Sequence, residues 1–213
     1  MNFTEKTLNS KTVYDGKIIT VLKDDVEVAN GHKSFREVVK HSGGVVVLAI
    51  KTPSNNKDCS HSEHKIQRFF AYAQDDRCEE SRSNENSAIT NDETVLFVKQ
   101  FRYPMKEVLL ELPAGKLEYG EDPFTAAKRE LEEETGYCAD KWTDLGFVYT
   151  SPGYSDEKLY LYKAEQLHFT QCHPDEGEIL QPLEINIDDA IKMINNGEIN
   201  DAKTLCAFLR GLN

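Results

Sequence analysis

Residues 45–50 read Val-Val-Val-Leu-Ala-Ile, an unbroken apolar run opened by Gly43-Gly44. A strand sends successive side chains to opposite faces, so a run without polar alternation predicts a strand covered on both sides. Its surroundings also read as sheet. Thr12-Val13-Tyr14 and Lys17 to Leu22 flank the hairpin signal Asp15-Gly16. Asp24 to Val28 and Phe35 to His41 flank Asn30-Gly31, a second turn of that kind. Further strands are expected at 94–98, 145–150, 158–163 and 183–187. A strand-to-loop transition runs from Leu109 to Gly115.

Three helices are expected between and after these strands. Asp122 is a natural N-cap, Pro123 suits the first helical turn, and Gly136 suits the left-handed residue just past the end. Phe124, Ala127, Leu131 and Thr135 mark the buried stripe of this first helix. The reading places a second helix from Asp188, as cap, to Asn195, and a third from the cap Asp201 to Leu209.

A chain of 213 residues suits one compact domain, or one with a modest extension. Its net charge of −12 disfavours nucleic acid and anionic lipid as partners. No stretch is apolar for the roughly 20 residues a membrane helix needs, and the N-terminus carries no apolar export segment. The five cysteines are widely spaced with no CxxC pair. That pattern suits reduced thiols and a cytoplasmic location. Residues 51–92 are rich in Asn, Ser, Asp, Glu and Lys around an apolar island, Phe69 to Ala73. They read as a polar, partly disordered insertion or elongated hairpin. Cys59, His61 and His64 lack a second ligand pair, so a solvated loop explains them better than zinc.

The first helix carries an electrostatic anomaly. Glu130, Glu132, Glu133 and Glu134 crowd its C-terminal turns, where the helix dipole favours cations. Glu130, Glu133 and Glu134 stand at i, i+3 and i+4, on one face, where each like-charged pair costs about 0.2–0.5 kcal/mol. Lys128 and Arg129 offset the cluster only in part. A solvated acidic face is the commoner explanation of a charge run. Here the cluster sits at the wrong helix end, after a Gly/Pro-rich loop, on a helix whose other face is apolar. Hard oxygen ligands grouped this way point to Mg²⁺ or Mn²⁺.

Gly115, Glu121, Arg129-Glu130-Leu131, Glu133-Glu134 and Gly136-Tyr137 together resemble a complete Nudix box. Tyr137 is the one mild departure, from an aliphatic residue. The resemblance implies an α/β/α sandwich with a mixed β-sheet, and metal-dependent hydrolysis of a nucleoside diphosphate linked to another group. It implies metal ligation by Glu130, Glu133, Glu134 and the main-chain carbonyl of Ala114. Arg129 is then expected to hold Glu133 or Glu121 in position, and Gly115 and Gly120 to allow backbone turns.

Outside the box, Arg36 to Val39, Gly43 to Ala49, Lys99 to Pro104, Glu111 to Gly115, Ser151 to Glu157 and Gly197 to Thr204 resemble the ADP-ribose pyrophosphatase branch. That branch implies ADP-ribose plus water giving AMP and ribose 5-phosphate. It implies phosphate or ribose contacts from Arg36 and Arg102, whose forked donors match phosphate oxygens. It also implies Glu176 as general base, with Glu178 assisting or touching metal, in a loop able to close over substrate. Tyr14, Phe35, Phe101 and Tyr103 are candidates for clamping adenine. The expected layout is an N-terminal β-region over 1–42 and a hydrolase domain over 43–213, with the N-terminal region packing across a homodimer. Another nucleoside diphosphate sugar, carrying GDP or UDP, is the alternative substrate. A non-catalytic ligand-sensing regulator is a more distant alternative, because the box is intact.

Overall fold

The structure, a computed structural model, describes residues 3–53, 93–170 and 179–212. The body of the 51–92 insertion, with its apolar island and Cys/His group, lies outside them, as do Glu176 and Glu178. Within them the strands are β1 (Glu5–Asp15), β2 (Ile19–Val28), β3 (Lys33–His41), β4 (Gly44–Lys51), β5 (Thr94–Arg102), β6 (Glu107–Glu111), β7 (Ala114–Lys116), β8 (Tyr137–Tyr149), β9 (Lys158–Phe169) and β10 (Leu180–Asn186). The helices are α1 (Pro123–Thr135), α2 (Ile187–Asn195) and α3 (Ala202–Gly211).

The N-terminal strands form their own antiparallel sheet in the order β1-β2-β3. Both turn signals close its hairpins, and Gly31 takes the positive φ of +83° that its turn demands. Every residue of β1 is exposed. The sheet is fastened to the rest of the chain at β3, where the Val39 N–H donates to the Tyr154 carbonyl at 2.7 Å and the Val39 carbonyl accepts from Asp156 N–H at 3.2 Å.

The second sheet runs β10-β5-β4-β9-β8, with β6 beside β5 and β7 beside β4. β4 pairs parallel with β9 and antiparallel with β5 and β7, so the sheet is mixed. The apolar run lies at its centre. Val45, Val47 and Ala49 pack with Ala126, Ala127 and Leu131 of α1. Val46, Leu48 and Ile50 face the other way, onto Ile187 and Ala190 of α2 and Ala207 and Phe208 of α3. The alternation of one strand thus divides the core into the two layers of an α/β/α sandwich. Gly211 brings α3 so close that a Cβ there would overlap Leu48.

Local signals set the helix ends. Asp122 Oδ2 accepts the Thr125 N–H at 3.0 Å, and Gly136 at φ +75° donates to the Glu132 carbonyl at 2.8 Å. One expectation is corrected: Asn186, not Asp188, caps α2, accepting the Asp188 N–H at 2.9 Å. Asp188 instead supplies negative charge in the first turn, where the dipole favours it. Phe124 is also only half-buried, set edge-on to Trp142.

Candidate active site

Helix α1 buries Ala126, Ala127 and Leu131 against the sheet, and this fixes the rotation of its remaining faces. Glu134 is pulled inward, 6% exposed, and its Oε2 accepts the Ala114 N–H at 2.9 Å. Glu130 lies over Gly115, where an added Cβ would overlap its carboxyl group. The glycine is therefore required by close approach of a side chain, and its absent methyl group makes the cradle that Glu130 occupies.

Arg129 answers the electrostatic anomaly, and it holds both Glu121 and Glu133. Its Nε and Nη2 donate to the two oxygens of Glu121 at 3.0 and 3.1 Å. Its Nη1 donates to Glu130 at 2.9 Å and to Glu133 at 2.8 Å. The residue expected to offset the cluster only in part thus bonds three carboxylates at once, while Lys128 lies over the Phe124 ring at 4.1 Å. Hydrogen bonds to Glu121 lead in raising the Arg129 pKa above its ordinary value. The same bonds hold Glu121 below the usual carboxylate range.

Among the described residues, no three Asp, Glu, His or Cys side chains are already gathered into an ion cage. The donor set nevertheless fits a hard divalent cation. Glu130, Glu133, Glu134 and Ala114 border one cavity of about 830 Å³, and the three carboxylates offer only oxygen. Arg102 and Lys203 line the same cavity. Lys17 and Ile18, at the β1–β2 turn, and His41, at the end of β3, also border it, so the N-terminal sheet contributes to its wall.

Arg36 stands elsewhere. It pairs with Glu5 of β1, donates to the Phe35 carbonyl at 2.7 Å, and is not among the described residues lining this cavity. Tyr14, Phe35, Phe101 and Tyr103 are exposed and do not line it either. Arg102 Nε and Nη2 donate in parallel to Glu111 Oε1 and Oε2, each at 2.7 Å. Lys203, from α3, shares the same carboxylate. Neither Glu111 nor Lys203 was singled out from the sequence. The available signal was a glutamate set among leucines in Leu109-Leu110-Glu111-Leu112, since a charge in an apolar strand requires partners.

Comparison with known proteins follows this geometry. Residues 85–208 match the NUDIX domain, and residues 5–39 match the nucleoside diphosphate sugar hydrolase N-terminal domain. The chain is 37% identical over 206 residues to an ADP-ribose pyrophosphatase of Bacillus subtilis (strain 168), covering 96% of this chain and 90% of that protein. It is 34% identical over 207 residues to a methanol dehydrogenase activator of Bacillus methanolicus, covering 96% and 91%. A crystal structure of an ADP compounds hydrolase superimposes with a TM-score of 0.71 over all of this chain and 95% of the other, at 19% identity. That last likeness speaks to the fold alone. Among the described residues, no helix is long and apolar enough to cross a membrane.

Proposed function

This chain belongs to the Nudix family, and on that premise we propose that it hydrolyses the pyrophosphate of ADP-ribose, giving AMP and ribose 5-phosphate. One observation carries the reading: the oxygen donors of the box and the cationic Arg102 border a single cavity. Its size is ordinary for a small-molecule site, commonly about 300–1,000 Å³. The acidic wall suits a divalent cation and the basic wall suits phosphate.

Glu130, Glu133, Glu134 and the Ala114 carbonyl would hold Mg²⁺ or Mn²⁺, which when bound neutralises phosphate charge and acidifies water near neutral pH. The protein's own groups do the positioning. Glu134 stays aimed by its bond from Ala114 N–H. Arg129 holds Glu121, Glu130 and Glu133 in register, as a supporting partner does for carboxylate ligands. Arg102, gripped by Glu111, offers its remaining N–H groups to phosphate oxygens. Glu176 is assigned as the base that takes the water proton, with Glu178 assisting, on the family resemblance alone.

The same proposal includes a two-fold homodimer. The N-terminal sheet exposes Leu8, Val13, Ile18 and Phe35, and Arg36 lies on it away from its own chain's cavity. In a dimer, Arg36 serves the neighbouring protomer's cavity. The activity is placed in the cytoplasm, consistent with the unbridged Cys138 and Cys206.

Incubation with Mg²⁺ and a panel of nucleotide sugars, with products separated by chromatography, tests the reaction. AMP from ADP-ribose is the expected outcome. Its absence overturns the assignment, and turnover of a GDP- or UDP-sugar instead moves the substrate while keeping the reaction class. A monodisperse monomer by light scattering at micromolar concentration would remove the dimer.

A further inference from the structure

Two of the cations that line the cavity, Arg102 and Lys203, are tied to one buried acid. Glu111 is 3% exposed at the end of β6. Arg102 grips it through Nε and Nη2, leaving Nη1 outside the grip. Lys203 reaches the same Oε2 and also Asp201 Oδ2, at 3.0 Å. Only 13% of the Lys203 side chain is exposed. A lysine held that firmly, on a cavity wall, is not an ordinary solvated surface charge.

Its surroundings are equally fixed. Asp201 caps α3 by accepting the Thr204 N–H at 3.1 Å and the Thr204 hydroxyl at 2.6 Å. Thr204 Oγ1, fully buried, accepts the Leu112 N–H at 3.0 Å. A continuous run of hydrogen bonds, with one ion pair between Asp201 and Lys203, therefore joins Leu112, Thr204, Asp201, Lys203, Glu111 and Arg102, and it locks the start of α3 to the strand beside the cavity.

The charge balance explains why a lysine is useful there. A lone carboxylate paired with Arg102 would cancel its charge and weaken it as a phosphate ligand. With Lys203 on the same carboxylate, and Asp201 balancing the second cation, Arg102 is no longer the sole counter-charge of Glu111. We infer that Lys203 is a positioning residue for substrate phosphate, acting through Glu111 to keep Arg102 oriented toward the cavity. This rests on the reading that the cavity takes a nucleoside diphosphate. Burial pushes Glu111 toward the neutral form, but the Arg102 hydrogen bonds and the Lys203 charge outweigh it and leave the carboxyl below its ordinary value.

Steady-state kinetics on whichever nucleotide sugar the wild-type enzyme turns over tests the idea. Lys203→Met is expected to raise KM about tenfold, the scale of one charge-assisted hydrogen bond, with kcat within about threefold of wild type. Lys203→Arg should restore most of the affinity. Because Lys203 acts through Arg102, adding Lys203→Met to Arg102→Met should worsen KM by less than about twofold. An unchanged KM in Lys203→Met, or effects that multiply in the double variant, would overturn the inference. If the methionine variant does not fold by circular dichroism, Lys203→Gln is judged by the same criteria. A wild-type enzyme inert on the whole panel counts against the functional reading, whereas failure of this inference appears only in the variants.

Discussion

Glu134 Oε2 accepts the backbone N–H of Ala114 at 2.9 Å, tying the last turn of α1 to the first residue of β7. One bond thereby holds a box carboxylate beside Ala114, and both residues line the same cavity. Glutamine keeps an oxygen able to accept that N–H but loses the charge. Glu134→Gln should therefore fold with a nearly unchanged Tm while kcat falls by about 10²–10³, the worth of several kcal/mol of metal-assisted charge stabilisation. Side-by-side melting curves and turnover assays check this, and a fully active variant removes Glu134 from the ligand set.

Gly115→Ala addresses the neighbouring carboxylate. The new methyl group would occupy space now filled by the Glu130 carboxyl, so Glu130 must swing away. The expected result is a loss of about tenfold or more in activity, together with a rise in the Mg²⁺ concentration needed for half-maximal rate. Activity titrated against Mg²⁺ reads both. An unaltered titration would mean that Glu130 does not act from that position.

Removing Arg129 should expose the cost of the acidic cluster. Arg129→Met strips three carboxylates of their shared partner in a site that is neither fully buried nor fully exposed. The cost is placed between the two extremes, at about 1–3 kcal/mol, or several degrees in Tm. Saturating Mg²⁺ should then raise the Tm of this variant more than that of wild type, because the cation becomes the main remaining counter-charge. Scanning calorimetry with and without Mg²⁺ provides the comparison.

Acid should weaken the network around Glu111. Its folded-state pKa is lowered below 4.5, so the unfolded chain binds the proton more readily. The stabilisation is complete above the unfolded value and is lost as pH falls through the lower folded value. Wild-type Tm should therefore decline with acidification below about pH 4.5. In Glu111→Gln it should be lower at neutral pH and decline less steeply. Glu121, Asp156 and Glu165 are lowered as well, so a slope remains in the variant. Parallel acid melts decide, and equal slopes would count against the role given to Glu111.

What could be read from sequence was mostly local. The ends of α1 depend on Asp122, Pro123 and Gly136, all adjacent in sequence to the turns they close, and both ends were anticipated. The two-faced burial of residues 45–50 was visible from their unbroken apolarity. The start of β1 at Glu5 was missed because Glu5 to Lys11 is polar apart from Leu8 and wholly exposed. Most of β8 was missed too, since its residues alternate irregularly and its pairing with β9 shifts between Asp144 and Phe147. At the site, the box carboxylates share one helix face and were legible. The family resemblance anticipates Arg129 holding Glu133 or Glu121, but its simultaneous bonds to Glu121, Glu130 and Glu133 need the loop folded back, and the pairing of Glu111 with Lys203 spans strands and helices that only tertiary structure brings together.

The parallel pairing of β4 with β9 also shapes how the chain must be made. Gly44 to Ala49 lie beside Leu159 to Ala164, partners separated by more than half the sequence. At a synthesis rate of about 5–20 residues per second, the early strand leaves the ribosome many seconds before its companion exists. During that wait the apolar run has one edge without its parallel neighbour, the aggregation-exposed state that pairing across a long stretch of chain imposes.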